Sequence, residues 1–217
     1  MMGLFFRAST PIKINYLLEY LLKLHDINRS LMYYWEFSLV VNNNGHLKLQ
    51  IISTGGTIEK TYDEYDGLLE NRTTQLEKRI LSRLRLPNCS FEVTPILSKD
   101  SLYFDDNDRQ LVASTVEEKL NTTEIGAILV VHGTDTMVKT ADFVRLNVPC
   151  PKVPIIFTGA MKPMGFDDSD AFQNVTESIL AARVCSPGGV YIVFHGRIFT
   201  VPFVKKNREK GTFEVVE

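Results

Sequence analysis

Cysteine is scarce in this chain. Cys89, Cys150 and Cys185 are odd in number and widely spaced, with no Cys-x-x-Cys pair. That excludes a disulfide framework and a cysteine-based metal site, and it leaves reduced thiols in a reducing compartment. Charge of one sign is lacking too. The 24 Lys and Arg stand against 26 Asp and Glu, a formal net charge of −2, which gives no reason to expect nucleic acid or an acidic membrane as a partner. No run reaches the ~18 apolar residues that a membrane span requires. The first residues, MMGLFFRASTPIK, contain no continuous apolar core, no small-residue cleavage site and little Arg, so neither a secretory signal nor a transit peptide is expected. The cytoplasm is the expected location, and sequons such as those at Asn71, Asn88, Asn121 and Asn174 are read as chance. Two glycine signatures are also missing: Gly-x-Gly-x-x-Gly of dinucleotide-binding folds, and the Gly-Lys-Ser/Thr of a phosphate-binding loop. No metal or cofactor is expected.

What the chain does have is an ordinary globular composition, 44% hydrophobic and 23% charged over 217 residues, enough for one domain with an appendage. The division falls near residue 45. Residues 1–46 read as an extension without visible chemistry. In it Ile14, Leu17, Leu18, Leu21, Leu22 and Leu24 fit an amphipathic helix of about three turns, and Asn42–Asn43–Asn44–Gly45 reads as a turn. Residues 47–217 form the catalytic domain in this reading. There, short apolar runs at 47–53, 91–96, 127–131, 153–157 and 190–194 alternate with helical stretches near 74–86, 106–120, 136–146 and 168–184. Runs of Val, Ile, Leu and Phe with little polar alternation are strands buried on both faces. Strand and helix in alternation imply an α/β fold, an open doubly wound and mainly parallel sheet flanked by helices.

Ligands bind such sheets at the carboxyl ends of the strands, where the strand order reverses. Four strand ends carry unusual sequence: Ser53–Thr57, His132–Thr136, Thr158–Pro163 and His195–Arg197. Glycine lets these turns be sharp and brings amide groups close to a ligand. Taken singly each has a bland reading. Asp135 or Thr136 could be the N-cap of the following helix, and His132 and His195 are more often satisfied supporting groups than catalysts. Two hydroxyl-rich turns and a carboxylate at equivalent strand ends are harder to dismiss together.

Ser53-Thr-Gly-Gly-Thr-Ile-Glu-Lys60 and Val131-His-Gly-Thr-Asp-Thr-Met137 resemble the two signature motifs of the bacterial-type L-asparaginase and glutaminase family. Phe157-Thr-Gly-Ala-Met-Lys-Pro163 resembles a third stretch of that family, and Asp100–Ser101 falls where its substrate serine lies. The likeness covers about residues 47–217 and fits the short, single-domain form, since larger members carry a second, C-terminal domain. Leu102 stands where many relatives have a glutamine that contacts substrate.

The resemblance implies hydrolysis of the L-asparagine side-chain amide to L-aspartate and ammonia. Thr57 would attack the amide carbon and leave a β-aspartyl ester for water to cleave, because a hydroxyl nucleophile divides a hard reaction into two easier ones. A tyrosine from the following loop would take the hydroxyl proton. The loop offers Tyr62 and Tyr65, and position after Lys60 favours Tyr62. Thr134, Asp135 and a lysine form the second polar set. Lys205 and Lys206 both qualify, Lys206 being preferred because Asn207 follows it, against the alternative of a plain basic surface patch over 205–208. Gly56, Ser101, Gly133, Thr134 and Asp135 are the expected substrate contacts, with Asp135 on the α-ammonium and Ser101 on the α-carboxylate. A homo-oligomer, dimer or larger, acting on a small amino-acid amide is expected. Glutaminase activity, ammonia supply to an amidotransferase and a non-catalytic aspartate or asparagine sensor stand as alternatives.

Overall fold

The central strands of this chain's sheet run parallel and are buried on both faces. In β1 (Leu47–Gly55), seven consecutive residues from Leu49 onward are buried. The computed structural model describes residues 45–71, 73–122 and 124–216; the helix expected over 14–24 lies outside them. After β1 come a three-residue 3₁₀ turn, Thr57–Glu59, and the hairpin β2 (Lys60–Tyr62) and β3 (Leu69–Asn71). Then follow α1 (Leu76–Arg79), β4 (Cys89–Lys99), α2 (Asp106–Thr122), β5 (Ala127–Val131), α3 (Met137–Asn147), β6 (Ile155–Thr158), α4 (Ala171–Ala181), β7 (Val190–Phe194) and β8 (Arg197–Thr200). A second hairpin, β9 (Val204–Asn207) and β10 (Thr212–Val215), ends the described chain.

The main sheet has the order β4-β1-β5-β6-β7-β8. Its first five strands are parallel, and β8 runs antiparallel to β7 as an edge. Successive residues of a strand face opposite sides, and the core obeys this. Ile52, Val130, Phe157 and Ile192 pack with residues of α2 and α3 on one face, while Ile51, Leu129, Ile156 and Val193 pack with α1 and α4 on the other. The chain leaves β1 for β4 on one side and leaves β5 for β6 on the other, so the strand order reverses between β1 and β5. That junction is where a doubly wound sheet opens a crevice.

The expected helix over 74–86 is a correction. It is only the single turn α1, followed by a 3₁₀ turn at Leu81–Arg83. Ile80, with φ −117°, joins the two turns, and the consecutive Ile80 and Leu81 are both buried in the core. The strand expected at 91–96 runs longer, and the one expected at 153–157 begins two residues later.

Phe213 anchors the closing hairpin. It is fully buried, with its ring edge-on to Phe194 at 5.0 Å and 6.5 Å from Phe199. It lies opposite Lys206 in the β9–β10 register. Phe213→Ala should lower unfolding stability by about 3–5 kcal/mol, the usual range for an emptied aromatic core position, as read by chemical denaturation.

Candidate active site

The ends of β1, β4 and β5 are drawn together by glycine. Gly55 and Gly56 have φ of +92° and +79°, backbone that side chains with a Cβ rarely adopt. A Cβ on Gly56 would lie 2.4 Å from both N and Cα of Gly133, and one on Gly133 would lie 2.4 Å from Ser101 Oγ. The β1 loop thus touches the β5 loop and the end of β4 backbone to backbone, and Gly133 packs on the Ser101 side chain. Hydrogen bonds fix the contact: Gly56 N–H donates to Lys99 O at 3.0 Å, and Thr54 Oγ1 to Val131 O at 3.1 Å. Thr57, half-buried, opens the 3₁₀ turn that rises from this junction.

Across the junction lies the second polar set. Lys206 Nζ donates to Thr134 Oγ1 at 2.7 Å and to Asp135 Oδ1 at 3.1 Å. Lys206 is 15% exposed, whereas Lys205, on the opposite face of β9, is 59% exposed and pairs with Glu214. Asp135 is not the N-cap of α3. The cap position belongs to Thr136, which makes no capping bond; its hydroxyl donates instead to Ser101 O at 2.7 Å. Ser101 is fully buried, and its Oγ has no partner among the described residues, so a donor is held ready inside the junction. The preceding Asp100 pairs with Lys60 at 2.6 Å. Burial alone would raise the Asp100 carboxyl, but the bonds from Lys60 and the Leu102 amide, with the Lys60 charge, hold it below the ordinary carboxylate range.

Gly56, Ser101 and Gly133 therefore meet, with Thr57 next to Gly56 in the chain, and Thr134, Asp135 and Lys206 meet. Tyr62 stands on the β2–β3 hairpin, 62% exposed, and Tyr65 is 97% exposed at its tip. A cleft of about 730 Å³ flanks this hairpin, lined by Tyr62, Leu68, Leu69, Arg79 and Phe166 among others; Thr57, Ser101, Thr134 and Asp135 are not in its wall.

Both histidines behind strand ends make hydrogen bonds within the domain. His132 is fully buried, and its Nδ1–H donates to Gly133 O at 2.7 Å. Burial pushes its pKa down to about 4. His195 pairs through Nε2 with Asp170 at 2.9 Å. Asp170 also accepts the Met161 and Lys162 amides and the Asn174 side chain, tying the Phe157–Pro163 turn to α4 and the end of β7.

Some participants escape a reading of the sequence. Arg208, in the turn just after β9, reaches Asp135 Oδ1 through NH2 at 2.8 Å. Glu59, the Lys60–Asp100 pair and the Asp170 hub leave no local signal. Among the described residues, no group of His, Cys, Asp and Glu is arranged to hold a metal ion, no helix is long and apolar enough to cross a membrane, and the three cysteines are free thiols.

A family profile described as "Asparaginase, N-terminal" matches residues 48–214. The chain is 28% identical over 165 residues to an L-asparaginase of Thermococcus kodakarensis, covering 76% of this chain and 49% of that protein. It is 32% identical over 166 residues to a glutamyl-tRNA(Gln) amidotransferase component from Methanococcus vannielii, covering 74% and 37%. The crystallised thermostable L-asparaginase from T. kodakarensis superposes with a TM-score of 0.69 at 27% identity, over 78% of this chain and 51% of that one. The chain thus spans about half the length, or less, of these relatives.

The buried imidazole has a measurable consequence. His132 is neutral when folded and free to protonate when unfolded. Its contribution to stability is complete above pH 6.5 and is lost as pH falls from there toward 4. His132→Asn should flatten that slope by up to about 1.4 kcal/mol per pH unit, read as the difference between wild-type and variant unfolding free energies at pH 7, 6 and 5.

Proposed function

The chain belongs to the asparaginase family, and on that premise we propose that it hydrolyses the side-chain amide of L-asparagine to L-aspartate and ammonia. The observation that carries this reading is the meeting of the Gly56–Thr57 turn with the Lys206–Thr134–Asp135 set at the point where the strand order reverses.

In the reading, the substrate's amide carbon sits over Thr57 Oγ1. Thr57 attacks, its proton passes by way of Tyr62 to the leaving nitrogen, ammonia departs, and an ester links Thr57 to the β-carboxyl carbon. Water then adds to the ester carbon, its bond to Thr57 Oγ1 breaks as that oxygen takes one proton of the water, and aspartate departs as its carboxylate with the other proton passing to the released ammonia. For Tyr62 to take part, its exposed hairpin must fold toward the junction. Lys206 faces Asp135 and holds it by an ion pair. It also fixes the Thr134 hydroxyl by donating to its oxygen, which leaves the Thr134 proton free to point at the attacking water or the developing oxyanion. Asp135 receives the substrate α-ammonium beside Lys206 and Arg208, and the unpartnered Ser101 hydroxyl donates to the α-carboxylate. A homo-oligomer in the cytoplasm completes the proposal.

A second reading has its own support, the 32% identity to a component of a glutamyl-tRNA(Gln) amidotransferase. In it the same threonine chemistry supplies ammonia to a partner enzyme. Free release from asparagine by the purified chain alone favours the hydrolase; release that requires added partner and glutamyl-tRNA favours the supplier.

Thr57→Ala and Thr134→Ala should each lower ammonia release from L-asparagine by about two orders of magnitude or more, with the circular dichroism spectrum unchanged. Wild-type turnover in either variant removes that residue from the chemistry. Lys206→Ala should lose more turnover than Lys205→Ala; the reverse order would displace Lys206 from its role.

A further inference from the structure

Glu59 is a buried carboxylate that the proposed chemistry does not use. Only 2% of it is exposed, and it lies two residues beyond Thr57 at the end of the 3₁₀ turn. Its hydrogen-bond partners are uncharged. Ser53 Oγ, at the end of β1, donates to Oε2 at 2.6 Å. Thr74 Oγ1 donates to Oε1, and the Gly55 amide acts on the same carboxylate. The cation next to it in the chain, Lys60, is turned away to Asp100. Burying an ionisable group without a counter-charge is costly, and burial does push the Glu59 carboxyl up against these hydrogen bonds. Such a group persists only where its bonds hold something together.

What they hold is the base of the β2–β3 hairpin. Glu59 stands immediately before β2, and Thr74 stands three residues after β3 ends at Asn71. The Glu59–Thr74 bond therefore closes the loop at its root, while the Ser53 and Gly55 bonds seat the same carboxylate on the strand end beneath the Thr57 turn. The geometry points to Glu59 as a positioning residue, whose side chain joins the Thr57 turn to the root of the Tyr62 hairpin so that the two move as one unit.

The catalytic consequence rests on the reading of Thr57 and Tyr62 given above; the clamp itself does not. It is tested by amide hydrogen exchange on the full chain, in wild type, Glu59→Gln, Thr74→Val and Thr74→Ser. Thr74→Val removes the root bond and leaves the Ser53 and Gly55 bonds in place. It should speed exchange in the 60–71 hairpin about tenfold, the size expected for one lost charge-assisted bond, with β1 and β5 exchange and the thermal midpoint little changed. Thr74→Ser, which keeps the hydroxyl, should restore protection. Glu59→Gln should loosen the hairpin and the Thr57 turn together. Hairpin exchange unaltered in Thr74→Val, or altered equally in Thr74→Ser, would overturn the clamp. In ammonia release, Thr74→Val should lower kcat about tenfold with KM for asparagine within about twofold, again rescued by serine. A wild-type chain that releases no ammonia refutes the amidohydrolase reading alone, and the exchange results then still decide for or against the clamp.

Discussion

Everything at this site depends on two glycines meeting without side chains between them. Ser53 on β1 is paired with Val131 on β5, so Gly56 and Gly133 leave the sheet three and two residues later and converge above it. Neighbouring strands are held about 4.8 Å apart by their hydrogen bonds, and no side chain fits where the two loops then close. A Cβ on either residue would intrude into backbone or into Ser101, atoms that cannot swing aside. The contact draws the strand end that carries Thr57 against the one that carries Thr134 and Asp135. The topology chooses which strand ends meet, and the glycines determine how closely.

The charges are arranged by depth around that contact. Close to solvent lie ion pairs: Lys60 with Asp100, and Lys206 and Arg208 with Asp135. Beneath them two polar groups hydrogen-bond to uncharged atoms. His132 faces a backbone carbonyl and Glu59 faces hydroxyls. The paired charges form a rim, while the interior groups hold shape. Asp135 has two cations on one oxygen, and Arg208 is the more exposed of the two at 69%.

The parts legible in the sequence are those governed by burial. The central strands β1, β5, β6 and β7 announce themselves as long buried runs, and the glycine turns at their ends can be read against the strand-end rule for doubly wound sheets. The single-turn α1 reads as a longer helix because Leu76, Ile80 and Leu84 keep helical spacing, while the adjacent Ile80 and Leu81 are both buried where α1 gives way to the 3₁₀ turn. The short elements β2, β3, β8, β9 and β10 escape that reading; with at most one buried residue each, they are too short to show a hydrophobic pattern. The same limit applies to the site. Thr57, Thr134 and Asp135 carry their position in their own neighbourhood, but Lys60 with Asp100, or Lys206 with Thr134, are partners across 40 and 72 residues. Only the fold can introduce them.

The hairpin that delivers Lys206 shows how such a distant partner is aimed. Residues 205 and 206 are chemically identical, and a strand must send them to opposite faces. Phe213, buried against Phe194 and Phe199, fixes which face of the hairpin turns inward. Because Phe213 lies across from Lys206 in register, and cross-strand partners share a face, the same burial that seats the phenyl ring turns the Lys206 ammonium toward Thr134. All of these residues lie within the 48–214 span that matches the asparaginase profile. The aim of Lys206 and the apposition of the two glycine loops are therefore properties of this one domain, set by its core and its sheet order.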